Sequence, residues 1–161
     1  MMAGSLGHMQ RVVVLGRGGA GKSTMSARLA RITGLPVLEL DSIFWRPELT
    51  PTPPQEWISI QAELTARPRW IMDGDLGPYD CLRPRLAAAD TVLVLDFSLL
   101  PCAWRAARRS RERADFWWWL LMWRRQSRPA LMAAIAEHAP AAEVHVLRGP
   151  RSLTRFLRQL E

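Results

Sequence analysis

Apolar residues in this chain fall into short unbroken runs, separated by stretches in which they recur every three or four positions. Arg11–Leu15, Val37–Leu40, Trp70–Met72, Thr91–Leu95 and Glu143–Leu147 are runs of the first kind and predict five strands. Lys22–Thr33 is of the second kind: Met25, Leu29 and Ile32 share one helical face, and Gly34-Leu35-Pro36 stops the helix. Further helices are predicted around Gln55–Ala66, near Leu82–Ala88, through residues 101–138 with a break at Arg128-Pro129, and over Ser152–Leu160. Residues 47–54 carry four prolines and read as a loop. Unbroken apolar strands lack the alternation of a sheet with one wet face. They predict an α/β fold whose parallel sheet is covered by helices on both sides, with right-handed crossovers.

Against that pattern, the polar residues at the strand ends stand out. The first strand runs into Gly16-Arg17-Gly18-Gly19-Ala20-Gly21-Lys22-Ser23-Thr24, which fits G-x-x-x-x-G-K-[ST] between a strand and a helix. Glycines let successive N–H groups converge on phosphate oxygens, and the helix beginning near Lys22 adds its positive end at the same place. The Ser23 hydroxyl suits Mg²⁺, and Thr24 is placed for the α-phosphate. Lys22 is the only lysine among 22 basic residues. Its compact ammonium on a thin stem reaches β/γ oxygens along a loop where a planar guanidinium is too wide. Asp41, Asp73 and Asp96 each end a strand on the same side, where open α/β sheets bind ligands. Asp73, followed by Gly74, is preferred over Asp96 as the carboxylate on the Mg²⁺ side. Asp41 is the candidate for binding an acceptor or taking its proton, with capping of the next turn as the alternative.

Composition narrows the reading. A chain of 161 residues suits one domain, assigned to residues 9–161. Residues 1–8 read as a tag remnant or disordered terminus ahead of a native Met9. Cys81 and Cys102 have no metal-ligand spacing and read as free thiols of a reducing compartment. The three histidines suggest no chemistry. The longest apolar run, at 116–123, is far short of the ~20 residues of a membrane span, so no membrane role is expected and the location is read as cytoplasmic.

The net charge is +7, and most of it sits between residues 105 and 128, where eight arginines face only Glu112 and Asp115. A helical reading puts Arg105, Arg108 and Arg109 on one face. Arg105, Arg109 and Arg128 are candidates for clamping a phosphoryl group, whereas Arg111, Arg113, Arg124 and Arg125 read as a solvated face. Trp117-Trp118-Trp119 and Trp123 point in several directions around a helix. They read as core, with a surface left for a second copy in a homodimer. The segment lacks an even basic face with interleaved aromatics, so nucleic acid is the less favoured partner. Two alternatives stand beside an enzyme: a nucleotide-switched, nucleic-acid-associated protein with weak ATPase activity, and an interaction protein with a vestigial loop.

The glycine loop, LELDSIFWRP at 38–47, RWIMDGD at 69–75, ADTVLVLDFS at 89–98 and CAWRAARR at 102–109 together resemble the small adenylate-kinase-like P-loop proteins related to a DNA topology modulation protein. The likeness spans most of residues 11–160. It implies a three-layer P-loop NTPase fold with strand order 2-3-1-4-5 and a short arginine-rich lid at about 104–128. It also implies ATP and Mg²⁺ as cofactors and transfer of the γ-phosphoryl group to an unidentified small acceptor held by about 41–68. By position, Gly16 to Thr24 become the ATP loop, Asp41 an acceptor-site residue, and Arg46 a contact for an anionic acceptor group. Arg85 becomes a contact for an anionic acceptor group, Arg105 and Arg109 lid arginines, and Arg148-Gly149 a turn beside the adenine. Asp73-Gly74-Asp75-Leu76 stands where that family has Asp-Gly-Asn-Tyr, which adds a negative charge beside the acceptor pocket, and the lid is shorter than usual.

Overall fold

A computed structural model describes residues 9–109 and 114–161, the side chains of Pro78, Arg109 and Asp115 excepted. The chain opens with β1 (Arg11–Gly16), α1 (Lys22–Thr33), β2 (Val37–Glu39), α2 (Leu40–Phe44), and a hairpin of β3 (Trp45–Arg46) with β4 (Thr50–Pro51). It continues through α3 (Pro54–Thr65), β5 (Trp70–Asp73), α4 (Arg83–Ala88), β6 (Thr91–Leu95) and α5 (Leu99–Arg109). The last third holds α6 (Ala114–Met122), a π-helical turn at Trp123–Ser127, α7 (Arg128–His138), β7 (Glu143–Leu147) and α8 (Pro150–Arg158).

Five strands form one sheet in the order β2-β5-β1-β6-β7, all neighbours parallel. With the two-residue strands of the hairpin set aside, this is the order 2-3-1-4-5 in chain sequence. The hairpin's second strand, β4, falls in the stretch 47–54 that reads as loop, because a strand of two residues among prolines carries no period. Side chains alternate across the sheet as strand geometry demands. Val12 and Val14 face a core with Met25 and Leu29 of α1 and Phe156 and Leu157 of α8. Val13 and Leu15 face the opposite core, with Trp57 of α3, Leu86 of α4 and Leu131 and Ile135 of α7. Residues 12–15 and 92–95 are fully closed to solvent, so β1 and β6 are covered on both faces as their unbroken apolar runs require.

The register brings the ends of β1 and β5 together, with Val14 opposite Asp73, and Glu39 of β2 opposite the same Asp73. Leu40 and Asp41 differ from expectation: they open α2 and do not extend the second strand. Leu40 is buried in either role, so its apolar character does not separate the two. Cys102 is buried and Cys81 half-buried, both as free thiols.

Candidate active site

The loop after β1 is built by glycines that nothing larger can replace. Gly19 has φ +73, and a Cβ there would lie 2.3 Å from the Cys102 carbonyl oxygen. Gly16, at φ +145, would put one 2.4 Å from the Leu95 carbonyl oxygen. The loop therefore closes against β6 and α5 through its bare backbone. Ala20 is buried beneath it and donates its N–H to the Arg17 carbonyl at 3.2 Å. Gly21 caps α1 in the left-handed region and leaves the helix N-terminus facing the loop. Lys22 folds back over this turn, donating from Nζ to the Gly16 carbonyl at 3.0 Å and the Arg17 carbonyl at 3.2 Å. Ser23 and Thr24 are exposed at the helix start.

Beside the loop lies a seam of aspartates. A Cβ on Gly74 would sit 3.8 Å from the Asp41 backbone nitrogen, so the start of α2 runs against the segment holding Asp73 and Asp75. Asp41 is exposed at the start of α2, yet enough protein surrounds its carboxyl to raise its pKa. Lys22 opposes that rise, and Asp73, Asp75 and Asp80 add to it. Burial likewise raises Asp75, again against Lys22, although its Oδ1 accepts the Gly77 N–H at 3.0 Å.

Asp80 behaves differently. Burial alone would push its pKa up, but the charge and hydrogen bonds of Arg85 overcome that and hold it below the usual carboxylate range. Arg85 is fully buried and bridges both Asp80 oxygens, with Nη1 at 2.8 Å from Oδ1 and Nη2 bonded to Oδ2. It also donates to Gln61 Oε1 at 2.9 Å and to the Gly74 and Cys81 carbonyls at 3.3 and 3.4 Å. The guanidinium is thus enclosed by the segment it organises, away from the open cleft. Arg46, exposed on the hairpin, is ion-paired with Glu56 of α3.

The arginine-rich segment covers the loop from the other side. The Arg105 guanidinium lies 3.9 Å from the point a Gly21 Cβ would occupy, which sets it at the start of α1. Gly18 lies under α6, where a Cβ would meet the Phe116 ring at 2.8 Å and Trp119 at 3.0 Å. Arg124 and Arg128 both hold Asp96, from Nε at 3.3 and 2.9 Å, and Asp96 is itself almost closed to solvent. The strand-end carboxylate Asp96 is therefore an anchor for α7 and the turn before it. The Arg109 side chain lies outside the described residues.

An unliganded sugar kinase from Janibacter sp. superposes with TM-score 0.59 at 22% identity, over 94% of each chain. The chain has the P-loop kinase fold. A shikimate kinase from Acinetobacter baumannii in complex with shikimate gives 0.59 at 17% identity, over 94% of this chain and 90% of that one. Deoxyadenosine kinase from M. mycoides with bound dCTP gives 0.54 at 12%, over 92% and 96%. No protein-family model and no curated protein matches the chain.

Within the P-loop kinase fold, the remaining candidates fall at the same sheet edge. Arg148, exposed, and Gly149 follow β7, whose Leu147 carbonyl accepts the Asp96 N–H at 2.9 Å. The Gly149 N–H donates to Ser152 Oγ at 3.1 Å, fixing the turn. Two residues escape the sequence reading. Arg17, an unspecified position of the loop motif, is buried, donating to the Phe97 carbonyl at 3.3 Å with its guanidinium 5.4 Å from the Trp123 ring. Asp80, the partner of Arg85, sits in an irregular segment. Neither burial nor pairing leaves a periodic mark at those positions.

Proposed function

We propose that the protein is an ATP- and Mg²⁺-dependent phosphotransferase of the nucleoside/nucleotide-kinase-like class, acting on a small hydroxyl acceptor. The observation that carries this reading is Lys22 folded over a glycine loop whose neighbouring segments bear Asp41, Asp73 and Asp75. The loop fits nucleotide phosphates: its tight glycines leave no side chain between backbone N–H groups and an anion, and α1 points its N-terminus there. Ser23 and Asp73 are the residues that would hold Mg²⁺, which when bound neutralises charge on the phosphates.

In the step we infer, the acceptor hydroxyl oxygen bonds to the γ-phosphorus while the bond from that phosphorus to the β,γ-bridging oxygen breaks. ADP leaves, and the hydroxyl proton passes to the Asp41 carboxylate. A raised pKa makes Asp41 a better base than an ordinary aspartate. Lys22 and Arg105 offset charge on the transferring group. Phe116 and Trp119, resting on Gly18, keep water from the loop, which otherwise makes a kinase an ATPase. Arg105 lies near Gly21, and Arg124 and Arg128 are ion-paired with Asp96, which favours a phosphate site over a nucleic-acid coat.

Calorimetry of ATP binding to Lys22→Ala, paired with acceptor-dependent ADP release by Asp41→Asn, tests the reading. Lys22→Ala is expected to weaken ATP by about tenfold or more, and Asp41→Asn to bind ATP normally while losing transfer. Unchanged affinity in the first refutes nucleotide use through the loop, and normal turnover in the second refutes the base.

A further inference from the structure

In the loop 16–21 only Arg17 and Ala20 carry side chains. Glycine backbone has little stiffness of its own, so what fixes such a loop comes from the few side chains within it. The Arg17 peptide is also where the loop meets Lys22. Its carbonyl accepts from Lys22 Nζ and from the Ala20 N–H, both at 3.2 Å, while the Gly16 carbonyl takes the other ammonium bond at 3.0 Å. An ammonium has three donors, so two given to these carbonyls leave one to face a ligand. The direction of that third donor is set by where the two carbonyls stand. Gly16 is fixed by its pairing with Leu95 of β6. The second carbonyl depends on Arg17.

The Arg17 side chain is only 1% exposed and is held from two remote segments. Nη1 donates to the Phe97 carbonyl, just past β6, at 3.3 Å, and the guanidinium lies 5.4 Å from the ring of Trp123 at the head of the π-helical turn. That turn is fastened to the same strand end, since Arg124 holds Asp96 at 3.3 Å. Turns of this kind recur at functional sites. Stability alone does not account for a guanidinium here. Its Nε has no hydrogen-bond partner among the described residues, and burial lowers its pKa. A well-packed apolar side chain in such a place is often neutral or stabilising. What an apolar chain lacks is direction. A donor to one carbonyl and a cation against one ring hold the Arg17 backbone in a single position.

Resting on the proposed use of the loop for nucleotide, we infer that Arg17 is a positioning residue for ATP binding: held by the Phe97 carbonyl and the Trp123 ring, it fixes the carbonyl on which the Lys22 ammonium rests and so aims that ammonium at the phosphates. Arg17 touches no phosphate itself, and its effect passes through Lys22.

The test is a double-mutant cycle on ATP affinity, measured by calorimetry with Mg²⁺ present. Arg17→Met is expected to weaken ATP by about tenfold when Lys22 is in place, and by less than about twofold in Lys22→Ala. A general loosening of the loop would instead cost the same in both backgrounds, because the backbone N–H groups meet phosphate with or without Lys22. Trp123→Phe weakens the anchor from its far side and leaves the loop sequence intact. It should lose about threefold in ATP affinity with Lys22 present and nothing in Lys22→Ala, and it carries the cycle alone if Arg17→Met does not fold. Unchanged affinity in both variants, or equal losses with and without Lys22, overturns this inference and leaves nucleotide use standing. Native protein that binds no ATP, or Lys22→Ala that binds it as tightly as the native protein, overturns both.

Discussion

Replacing Arg85 by methionine isolates the buried pair on which the acceptor segment is built. In the native protein Arg85 has no exposed surface, and its guanidinium makes two bonds to Asp80 and reaches Gln61 and the Gly74 and Cys81 carbonyls. The methionine fills most of the volume but leaves Asp80 buried and charged. Breaking one side of such a pair costs about 3–5 kcal/mol, a large share of the roughly 5–15 kcal/mol that holds a domain folded. With a urea m-value of about 2 kcal/mol/M, the unfolding midpoint should fall by roughly 2 M at neutral pH. The double variant Asp80→Leu/Arg85→Met removes both charges. It should cost less than Arg85→Met alone, about 1–3 kcal/mol, because what remains is the loss of hydrogen bonds to the Leu76 N–H, Gln61 Oε1 and the two carbonyls.

The pH dependence gives the sharper check. In the native protein the Asp80 pKa is held below its unfolded value, so its stabilisation is complete above the unfolded pKa of about 3.9 and fades as pH falls through the folded one. In Arg85→Met the same carboxyl is buried without a cation, its folded pKa lies above the unfolded one, and protonation relieves the penalty. The stability gap between the two proteins must therefore narrow as pH falls from neutral toward about 4. Urea titrations followed by tryptophan fluorescence at several pH values measure it. A single variant within about 1 kcal/mol of the native protein, or a gap that widens on acidification, refutes the reasoning.

Other consequences are read as directly. Gly19→Ala should destabilise the loop and abolish ATP binding in calorimetry, since both its φ of +73 and the Cys102 carbonyl at 2.3 Å oppose a Cβ. Asp41→Asn should raise the melting temperature at neutral pH while removing transfer. A carboxyl with a raised folded pKa destabilises when ionised, so the gain should vanish at acid pH. The native rate should likewise fall on acidification at a pH above that of an ordinary aspartate. Asp96→Ala should free Arg124 and Arg128 and expose the segment around residues 123–128 to limited proteolysis, with an equilibrium cost of about 1–2 kcal/mol. Lys22→Arg keeps the charge but should still lose about tenfold in ATP affinity by calorimetry, which shows whether charge alone suffices there.

The sheet was legible because its central runs, residues 12–15 and 92–95, carry no alternation and require cover on both faces, which both have. The loop was legible because its spacing is dictated by backbone approach to phosphate, which few sequences satisfy by accident. Legibility failed where neighbours in space are remote or aperiodic in sequence. Asp41 reads as a strand end, but a buried leucine before it serves a strand's last residue and a helix's first equally well. Arg85 reads as a cation awaiting a ligand, because its own sequence neighbourhood does not reveal that Asp80, Gln61 and two carbonyls converge on it. Asp96 reads as a carboxylate at a binding edge, and its two arginines arrive from 28 and 32 residues further on.

These misreadings share a physical cause that also explains the chain's unusual division between its two basic side chains. A guanidinium has five donors in a fixed plane and suits places where several acceptors converge. Arg85 meets such a set in the acceptor segment, Arg17 lies between a carbonyl and a tryptophan ring, and Arg124 and Arg128 share one carboxylate. These four arginines act as cross-links between segments. The loop requires the opposite: a charge that lies over two carbonyls at 3.0 and 3.2 Å and stays narrow enough to leave the glycine backbone open.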